Sequence, residues 1–292
     1  MNSSSIVAAS DAGALRERLH GMWSSVAGGW SAHAEFVEQR GALVTRTMLE
    51  LASPAEGDRV LELACGTGAT GLAAADVVGA EGEVVLSDIA PEMVAIAAGT
   101  AEARGLTQVR TRVLDLEDVD AADESFDVVL CREGLMLVPD PERAAREMQR
   151  VLRPGGRSAV AVWGPRGRNP WLGLVFDTVS AELGAPMPPP GVPGPFSLDD
   201  ASRLEAILAG AGFEEVSVRE VPTPYRAGSA DEWWARTCDL AGPLAQKLAA
   251  LPEPKKQQLR ERAVEAVRGY ATGNGLELPG VTLVAGGVRA QS

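Results

Sequence analysis

The sequence predicts an α/β protein with a doubly wound, mostly parallel sheet of seven strands and helical insertions that form a lid. From about residue 59 to residue 164, short apolar runs of strand length alternate with helical segments. A glycine-rich turn follows the first run, and an acidic residue ends each of the next two. Strands that alternate with helices pair in parallel and are covered on both faces. Ligands of such sheets bind at the carboxyl ends of the strands, which makes those ends the candidate site.

Five apolar runs form the predicted parallel core, and two later runs complete the sheet. Pro91 and the pair Asp140-Pro141 begin helices between the runs, because proline is well suited to the first turn of a helix. Gly105 is a suitable residue to end one of them. The seven predicted strands cover residues 59–64, 84–87, 109–114, 126–130, 158–162, 216–221 and 281–285.

The segments outside this core predict the remaining organisation. Ser197 and Ser229 each precede an acidic residue by three positions, a pattern that is typical of a helix start. Six prolines within residues 186–195 predict a stiff, extended connection. We expect a mobile tail, an N-terminal helical cap, and one large domain with two lid insertions; these cover residues 1–13, 14–53 and 54–292, with the insertions at about 165–196 and 229–272.

Composition disfavours several classes of function. The 40 acidic and 27 basic side chains give a net charge of −13, which disfavours nucleic acids and anionic membranes as partners. No stretch approaches the roughly 18 apolar residues of a membrane span. Three cysteines and two histidines show no metal-binding spacing, so we expect no metal site and a reducing, cytoplasmic location. A monomer and a homodimer both remain open.

The most specific local pattern is a glycine-rich loop with glycines at positions 66, 68 and 71. Glycines allow a tight turn and a close approach of the backbone to a ligand. The spacing also matches a dinucleotide fingerprint, which leaves an NAD(P)-dependent oxidoreductase open. Against that alternative, neither Tyr225 nor Tyr270 is followed four positions later by a lysine, so one common proton-donor pair is missing.

Acidic residues around the loop favour a different ligand. Glu62 lies just before the loop, Asp88 ends the second run, and Asp115 follows the third. Glu62 can complement an ammonium group directly or through water, Asp88 can accept both hydroxyls of a ribose, and Asp115 can accept from an adenine amino group beside the backbone of Leu116. The alternative is that these acids only cap helices or face solvent.

Four motifs in this order resemble those of the class I S-adenosylmethionine-dependent methyltransferases, which have a Rossmann-like fold. The resemblance is strongest to the branch related to the ubiquinone and menaquinone biosynthesis methyltransferases. One departure is Ala64, where that family usually has a glycine. The motifs cover residues 61–68, 86–89, 115–117 and 150–156.

The resemblance implies S-adenosylmethionine as the cofactor and S-adenosylhomocysteine as the product. It implies that the backbone of Ala64, Gly66 and Gly68 lines the methionyl part and that the carbonyl of Cys131 accepts from its ammonium group. Ile89 is expected to pack on the adenine with Met93 nearby. The cofactor-binding set is therefore Trp30, Glu62, Ala64, Gly66, Gly68, Asp88, Ile89, Met93, Asp115, Leu116 and Cys131.

Methyl transfer itself needs few side chains, because the sulfonium already carries its leaving group. A general base is required only if the nucleophile starts protonated. His33, on the expected N-terminal cap, and Glu133, after the fourth run, are the candidates. A solvent-facing histidine and an acid at a helix start are the alternative interpretations.

Four tryptophans are expected to close over the acceptor: Trp163, Trp171, Trp233 and Trp234. The last two are adjacent on a helix and point about 100° apart, so we expect one to face the pocket and the other to pack. These features predict methyl transfer by in-line displacement to a small hydrophobic or aromatic metabolite, in secondary-metabolite or cofactor biosynthesis. A non-catalytic S-adenosylmethionine-binding regulator is the second alternative.

Overall fold

The computed structural model describes residues 3–190 and 192–291 of the chain. Ten strands and ten α-helices are found in this part, together with three short 3₁₀ helices at Leu135–Leu137, Arg166–Arg168 and Arg268–Tyr270. The strands are β1 Arg59–Leu63, β2 Glu83–Asp88, β3 Val109–Val113, β4 Phe126–Arg132, β5 Leu152–Trp163, β6 Phe213–Pro222, β7 Tyr225–Ala227, β8 Ala271–Thr272, β9 Gly275–Leu278 and β10 Val281–Arg289. The helices are α1 Ser3–Ala32, α2 Ala34–Ala52, α3 Ala69–Val78, α4 Pro91–Ala103, α5 Pro141–Val151, α6 Pro170–Leu183, α7 Ala201–Gly210, α8 Ala230–Leu240, α9 Gly242–Ala249 and α10 Glu253–Ala266.

Seven strands form the main sheet, in the order β3-β2-β1-β4-β5-β10-β6. Strands β1 to β5 pair in parallel, while β10 is antiparallel to both of its neighbours. The predicted mostly parallel, seven-stranded sheet is thus confirmed. The chain runs outward from β1 in one direction and from β4 in the other, so a crevice is expected at their carboxyl ends.

Alternate residues of the strands pack on opposite layers of helices, as expected for a sheet covered on both faces. On one face, Val60, Leu86 and Leu130 lie in a core with α2, α3 and α4. On the other, Leu61 and Val129 lie in a core with α5 and α7. The strands are therefore anchored from both sides, which holds their carboxyl ends in place.

A third core lies outside the main sheet, and we call the elements that form it the lid. Helices α6, α8, α9 and α10 pack their apolar faces together with β7 and β9. A small antiparallel sheet, in the order β7-β9-β8, supports this core. The sequence did not predict this sheet, because strands of two to four residues are too short to show a period.

Several predicted boundaries differ from the structure. Helix α1 begins at Ser3, so it includes most of the residues that the sequence predicts as a tail; Met1 and Asn2 lie outside the described residues. Ser229 caps α8 as predicted, because its hydroxyl accepts from the N–H of Glu232. Ser197 does not cap α7; Asp200 does, because its side chain accepts from the N–H of Arg203.

No helix in the described part of the chain is long and apolar enough to cross a membrane.

Candidate cofactor and acceptor sites

A cleft of about 980 Å³ opens at the carboxyl ends of β1, β2 and β4, and we call it the strand-end cleft. Its wall combines the loop after β1, the ends of β2 and β3, the turn after β4, and one side of α1. The lining residues are Leu19, Trp23, Trp30, Ala64, Cys65, Gly66, Thr67, Asp88, Ile89, Met93, Leu114, Asp115, Leu116, Glu117, Arg132, Glu133, Gly134, Leu137, Val138 and Pro139.

The loop after β1 needs small residues for its backbone path. Gly66 and Gly68 have φ angles of +53° and +90°, which favour glycine, and Ala64 has a φ of +52° despite its side chain. A Cβ at Gly71 would lie 2.6 Å from the Glu62 carboxylate. The glycines therefore let the loop turn while α3 packs directly on the strands.

Glu62 lies beneath this loop instead of on the wall of the strand-end cleft. Its Oε2 accepts from the N–H of Gly71 at 2.7 Å, and the side chain is 1% exposed. Burial raises the pKa of Glu62 to about 7, although the Arg132 charge and the Gly71 N–H oppose that rise. Glu62 does not line the cleft. Its predicted contact with an ammonium group, directly or through water, stays a prediction.

Asp88 lines the cleft and ties two segments together. Its Oδ2 accepts from the N–H of Gly66 at 2.9 Å, and its Oδ1 accepts from the N–H of Ala90 at 3.0 Å. Burial raises the pKa of Asp88, and the backbone N–H groups oppose that rise. A carboxylate oxygen has two lone pairs, so each oxygen retains capacity to accept from a ligand.

The remaining predicted residues of the cleft form a polar edge and an apolar wall. Asp115 Oδ1 accepts from the N–H of Glu117 at 2.8 Å. Met93 is buried in a small apolar cluster to which Trp30 adds its ring. Ile89 and Leu116 also line the cleft, giving it apolar surface of the kind a purine ring packs against.

Two further predicted residues do not line the cleft. Gly68 is the N-cap of α3, and a Cβ at this position would lie 3.2 Å from side-chain atoms of Leu86 and Ala97. Cys131 is fully buried within β4, and the residues that reach the cleft are the next three along the chain. Sequence reasoning missed the contribution of α1 beyond Trp30, since a helical segment gives no signal of which site it covers.

A second cavity, of about 580 Å³, adjoins the cleft, and we call it the lid cavity. The two share Trp30, Arg132 and Glu133 as a common wall. The other lining residues come from α2, the ends of the sheet and the lid: Phe36, Val37, Arg40, Gly41, Trp163, Trp171, Leu172, Thr223, Tyr225, Thr237, Leu240 and Ala241.

Aromatic rings dominate one side of the lid cavity. The rings of Trp171 and Tyr225 are stacked, with centroids 5.4 Å apart and planes 18° from parallel. Trp163 meets Trp171 edge to face, with centroids 4.9 Å apart. The Arg40 guanidinium carbon lies 4.1 Å from the centroid of Trp171, a cation–π arrangement.

The predicted tryptophans divide into two groups. Trp163 and Trp171 line the lid cavity, as expected for residues that meet an acceptor. Trp233 and Trp234 line neither cavity and belong to the lid core. Trp233 is fully buried and donates from Nε1 to the carbonyl of Trp171 at 2.9 Å. The prediction that one of this pair faces the pocket is therefore wrong, because both rings are buried in the lid core.

The two candidate bases, His33 and Glu133, differ in their position relative to the two cavities. His33 Nε2 lies 2.9 Å from Asp239 Oδ2 and lines neither cavity. Glu133 lines both, and its backbone has a φ of +61°. Within the described residues, no group of three histidine, cysteine or acidic side chains is arranged to hold a metal ion.

Comparisons with known proteins agree with this geometry. Residues 54–165 match a family described as a methyltransferase domain. The chain is 36% identical over 186 residues to the ubiquinone/menaquinone biosynthesis C-methyltransferase UbiE of Ectopseudomonas mendocina, a match that covers 59% of this chain and 71% of that protein. It is 34% identical over 199 residues to the nocamycin O-methyltransferase of Saccharothrix syringae, covering 64% of this chain and 70% of that one.

A solved structure shows the same fold. The YcgJ protein from Bacillus subtilis superposes with a TM-score of 0.59 at 21% identity, covering 87% of this chain and 99% of that one. The loop, the acidic residues that follow the strands and the sequence relatives all point to one class of enzyme. The chain belongs to the S-adenosylmethionine-dependent methyltransferases.

Proposed function

We propose that the chain transfers a methyl group from S-adenosylmethionine in the strand-end cleft to a small planar acceptor in the lid cavity. The wall shared by the two cavities, formed by Trp30, Arg132 and Glu133, carries this proposal. Because these residues line both cavities, the cavities are adjacent. Ligands bound in them can lie next to each other without bulk solvent between them, which in-line displacement requires. The rings of Trp163 and Trp171 favour a flat, apolar acceptor.

The residues of the cleft suit each part of the cofactor. We propose that Asp88 accepts from the ribose hydroxyls and that Asp115 accepts from the adenine amino group beside Leu116. Ile89 and Met93 would pack on the purine, and the turn at residues 64–66 would follow the methionyl chain. Because residues 132–134 line the cleft and Cys131 does not, the partner of the ammonium group is expected near the end of β4.

S-adenosylmethionine supplies a methyl group already activated on a sulfonium. The acceptor nucleophile forms a bond to the methyl carbon while the carbon–sulfur bond breaks. The electron pair of the broken carbon–sulfur bond goes to sulfur. The protein is left to orient the acceptor and exclude water, functions that suit a cavity lined in part by residues of α6 and α8. Family membership favours this reaction over a nicotinamide-dependent oxidoreductase or a non-catalytic regulator.

The test is a transfer assay with a chemically broad panel of small aromatic phenols, carboxylic acids and amines. Purified protein is incubated with S-adenosylmethionine labelled on its methyl group, and products are detected by label and by a mass gain of one methylene unit. We expect methylated members among the flat, apolar compounds. Transfer only to nucleic acid or protein, with none to the panel, would contradict a small-molecule acceptor.

A further inference from the structure

The lid cavity contains polar atoms that no described residue satisfies. Arg40 Nε and Trp163 Nε1 are shielded from solvent and have no acceptor within the described part of the chain. Both residues line the cavity. The hydroxyls of Tyr225 and Thr237, in the same wall, also lack a hydrogen bond of good geometry to any described residue. Unpaired buried donors are costly and uncommon, so their concentration around one cavity points to a ligand.

The charge of Arg40 also lacks a direct partner. Its Nη2 donates to the carbonyl of Thr223 at 3.3 Å, but no carboxylate of the described residues forms an ion pair with it at 4.0 Å or less. Two other partly enclosed arginines do have carboxylates: Arg150 pairs with Glu147, and Arg236 with Glu232. Burial lowers the pKa of Arg40, while the charge of Glu133, which also lines the cavity, opposes that change. A ligand anion would replace the missing partner.

The position of Arg40 indicates which part of an acceptor it would hold. Arg40 lines only the lid cavity, whereas Glu133 and Arg132 line both the lid cavity and the strand-end cleft. An anionic group bound at Arg40 therefore lies away from the strand-end cleft, and the remainder of the acceptor extends toward the shared wall. The aromatic side chains beside Arg40 give the cavity an apolar lining that suits a ring carrying this group.

We propose that the lid cavity selects a planar acceptor bearing a carboxylate, which accepts hydrogen bonds from Arg40 Nε and Trp163 Nε1 while the atom to be methylated faces the shared wall. This inference rests on the proposed function, since it assigns the lid cavity to the acceptor. A guanidinium and an indole N–H both donate and neither accepts, so the pair selects an acceptor-only group. Arg40 acts here as a specificity-determining residue.

The test compares carboxylates with neutral amides of the same shape. Full-length protein saturated with S-adenosylhomocysteine is titrated calorimetrically with 2-naphthoate and 2-naphthamide, and then with benzoate and benzamide. We expect each carboxylate to bind about tenfold or more tightly than its amide. Arg40→Met should abolish the preference, and Arg40→Lys should retain part of it. Arg146→Met, at an exposed position of α5, removes one positive charge elsewhere and should leave the preference unchanged.

A second variant keeps the test valid if Arg40→Met fails to fold. Trp163→Phe keeps an aromatic ring but removes the Nε1 donor together with part of the indole, so it should weaken carboxylate binding severalfold and more than it weakens amide binding. Equal affinity for carboxylates and amides in the wild type would overturn the inference. So would a preference that survives in an Arg40→Met protein that still binds S-adenosylhomocysteine. Failure of the wild type to bind S-adenosylhomocysteine would instead overturn the proposed function.

Discussion

The strand-end cleft and the lid cavity differ in charge, in lining and in the part of the chain that builds them. Among the described residues, four carboxylates and one guanidinium line the cleft, whereas two guanidiniums and one carboxylate line the cavity. The cleft is built largely from loops at the ends of strands, and the cavity largely from α2 and the lid. A cation suits the first site and an anion the second, although they share a wall.

This difference indicates which residues are expected to control cofactor binding and which are expected to control the choice of acceptor. The cleft depends on backbone conformation after β1, which tolerates few side chains at its glycines. The lid cavity depends on side chains such as Arg40 and Trp163, which can be exchanged without altering the sheet. We therefore expect cofactor binding and acceptor choice to respond to different substitutions, and the predictions below test that separation.

The largest effect is expected from Asp88→Ala in the cleft. Two hydrogen bonds to ribose hydroxyls are at stake, each worth about 1.5–3 kcal/mol, so S-adenosylmethionine affinity should fall at least about 100-fold. Calorimetry measures the loss, and Asp120→Ala, which removes an exposed carboxylate outside both cavities, serves as the control. Wild-type affinity in Asp88→Ala would refute the assignment, and an equal loss of 2-naphthoate binding would refute the separation.

A pH-dependent effect is expected from Glu62→Gln. The pKa of Glu62 is about 7 in the folded protein against 4.5 for the free group, so the unfolded chain loses this proton first as pH rises. Glu62 should therefore lower the stability progressively between pH 4.5 and 7, and by a constant amount above pH 7. The unfolding free energy of Glu62→Gln minus that of wild type should grow by about 3 kcal/mol over that range.

Denaturant unfolding at a series of pH values checks this prediction. Glu142→Gln, at an exposed position in the first turn of α5, should follow the wild-type pH dependence. If the unfolding free energies of wild type and Glu62→Gln ran parallel over this pH range, burial beneath the loop would not raise the pKa of Glu62.

A smaller effect, on stability alone, is expected from Trp233→Phe. The change removes the hydrogen bond to the carbonyl of Trp171 and part of the lid core, so the unfolding free energy should fall by about 2 kcal/mol. Affinity for S-adenosylmethionine should not change. If stability is unaltered while acceptor KM rises, the residue contacts the acceptor and the packing role assigned to it is incorrect.

The smallest effect is expected from His33→Gln. Its contact with Asp239 is partly exposed, and such pairs contribute less than about 1 kcal/mol. Turnover of any acceptor found in the transfer screen should stay within about twofold of wild type. Glu133→Gln is the informative companion: loss of a general base would lower kcat by about 100-fold or more and change the pH profile. A large loss of turnover in His33→Gln would favour His33 over Glu133 as the general base.

The sheet and much of the cleft were predictable because their signals are local. The glycines at 66 and 68, and the acids at 88 and 115, follow apolar runs whose period indicates strands. Ligands of parallel sheets bind at strand ends, so position in sequence implies position in space. Glu62 shows the limit of this reasoning, since spacing alone did not indicate that its side chain turns under the loop.

The lid cavity was not predictable in the same way. Arg40 lies in an amphipathic helix where an arginine is ordinarily solvated, and its neighbours Thr223 and Trp171 are more than 100 residues away in the chain. The adjacent Trp233 and Trp234 were expected on different sides of α8, and they are. The other elements of the lid bury both rings, and only the tertiary structure reveals this.

The turn after β4 and the loop after β1 compete for the space of a single methyl group. The Cβ of Ala64 occupies the place where a Cβ on residue 134 would fall, so residue 134 is held to glycine by its neighbour. A glycine at 64 would remove this contact and leave Cys131 Sγ, at 3.0 Å, as the nearest side-chain atom to a Cβ at 134. The departure from the family pattern at Ala64 thus restricts a residue in a second loop, and an alanine at 134 is expected only in chains that carry a glycine at 64.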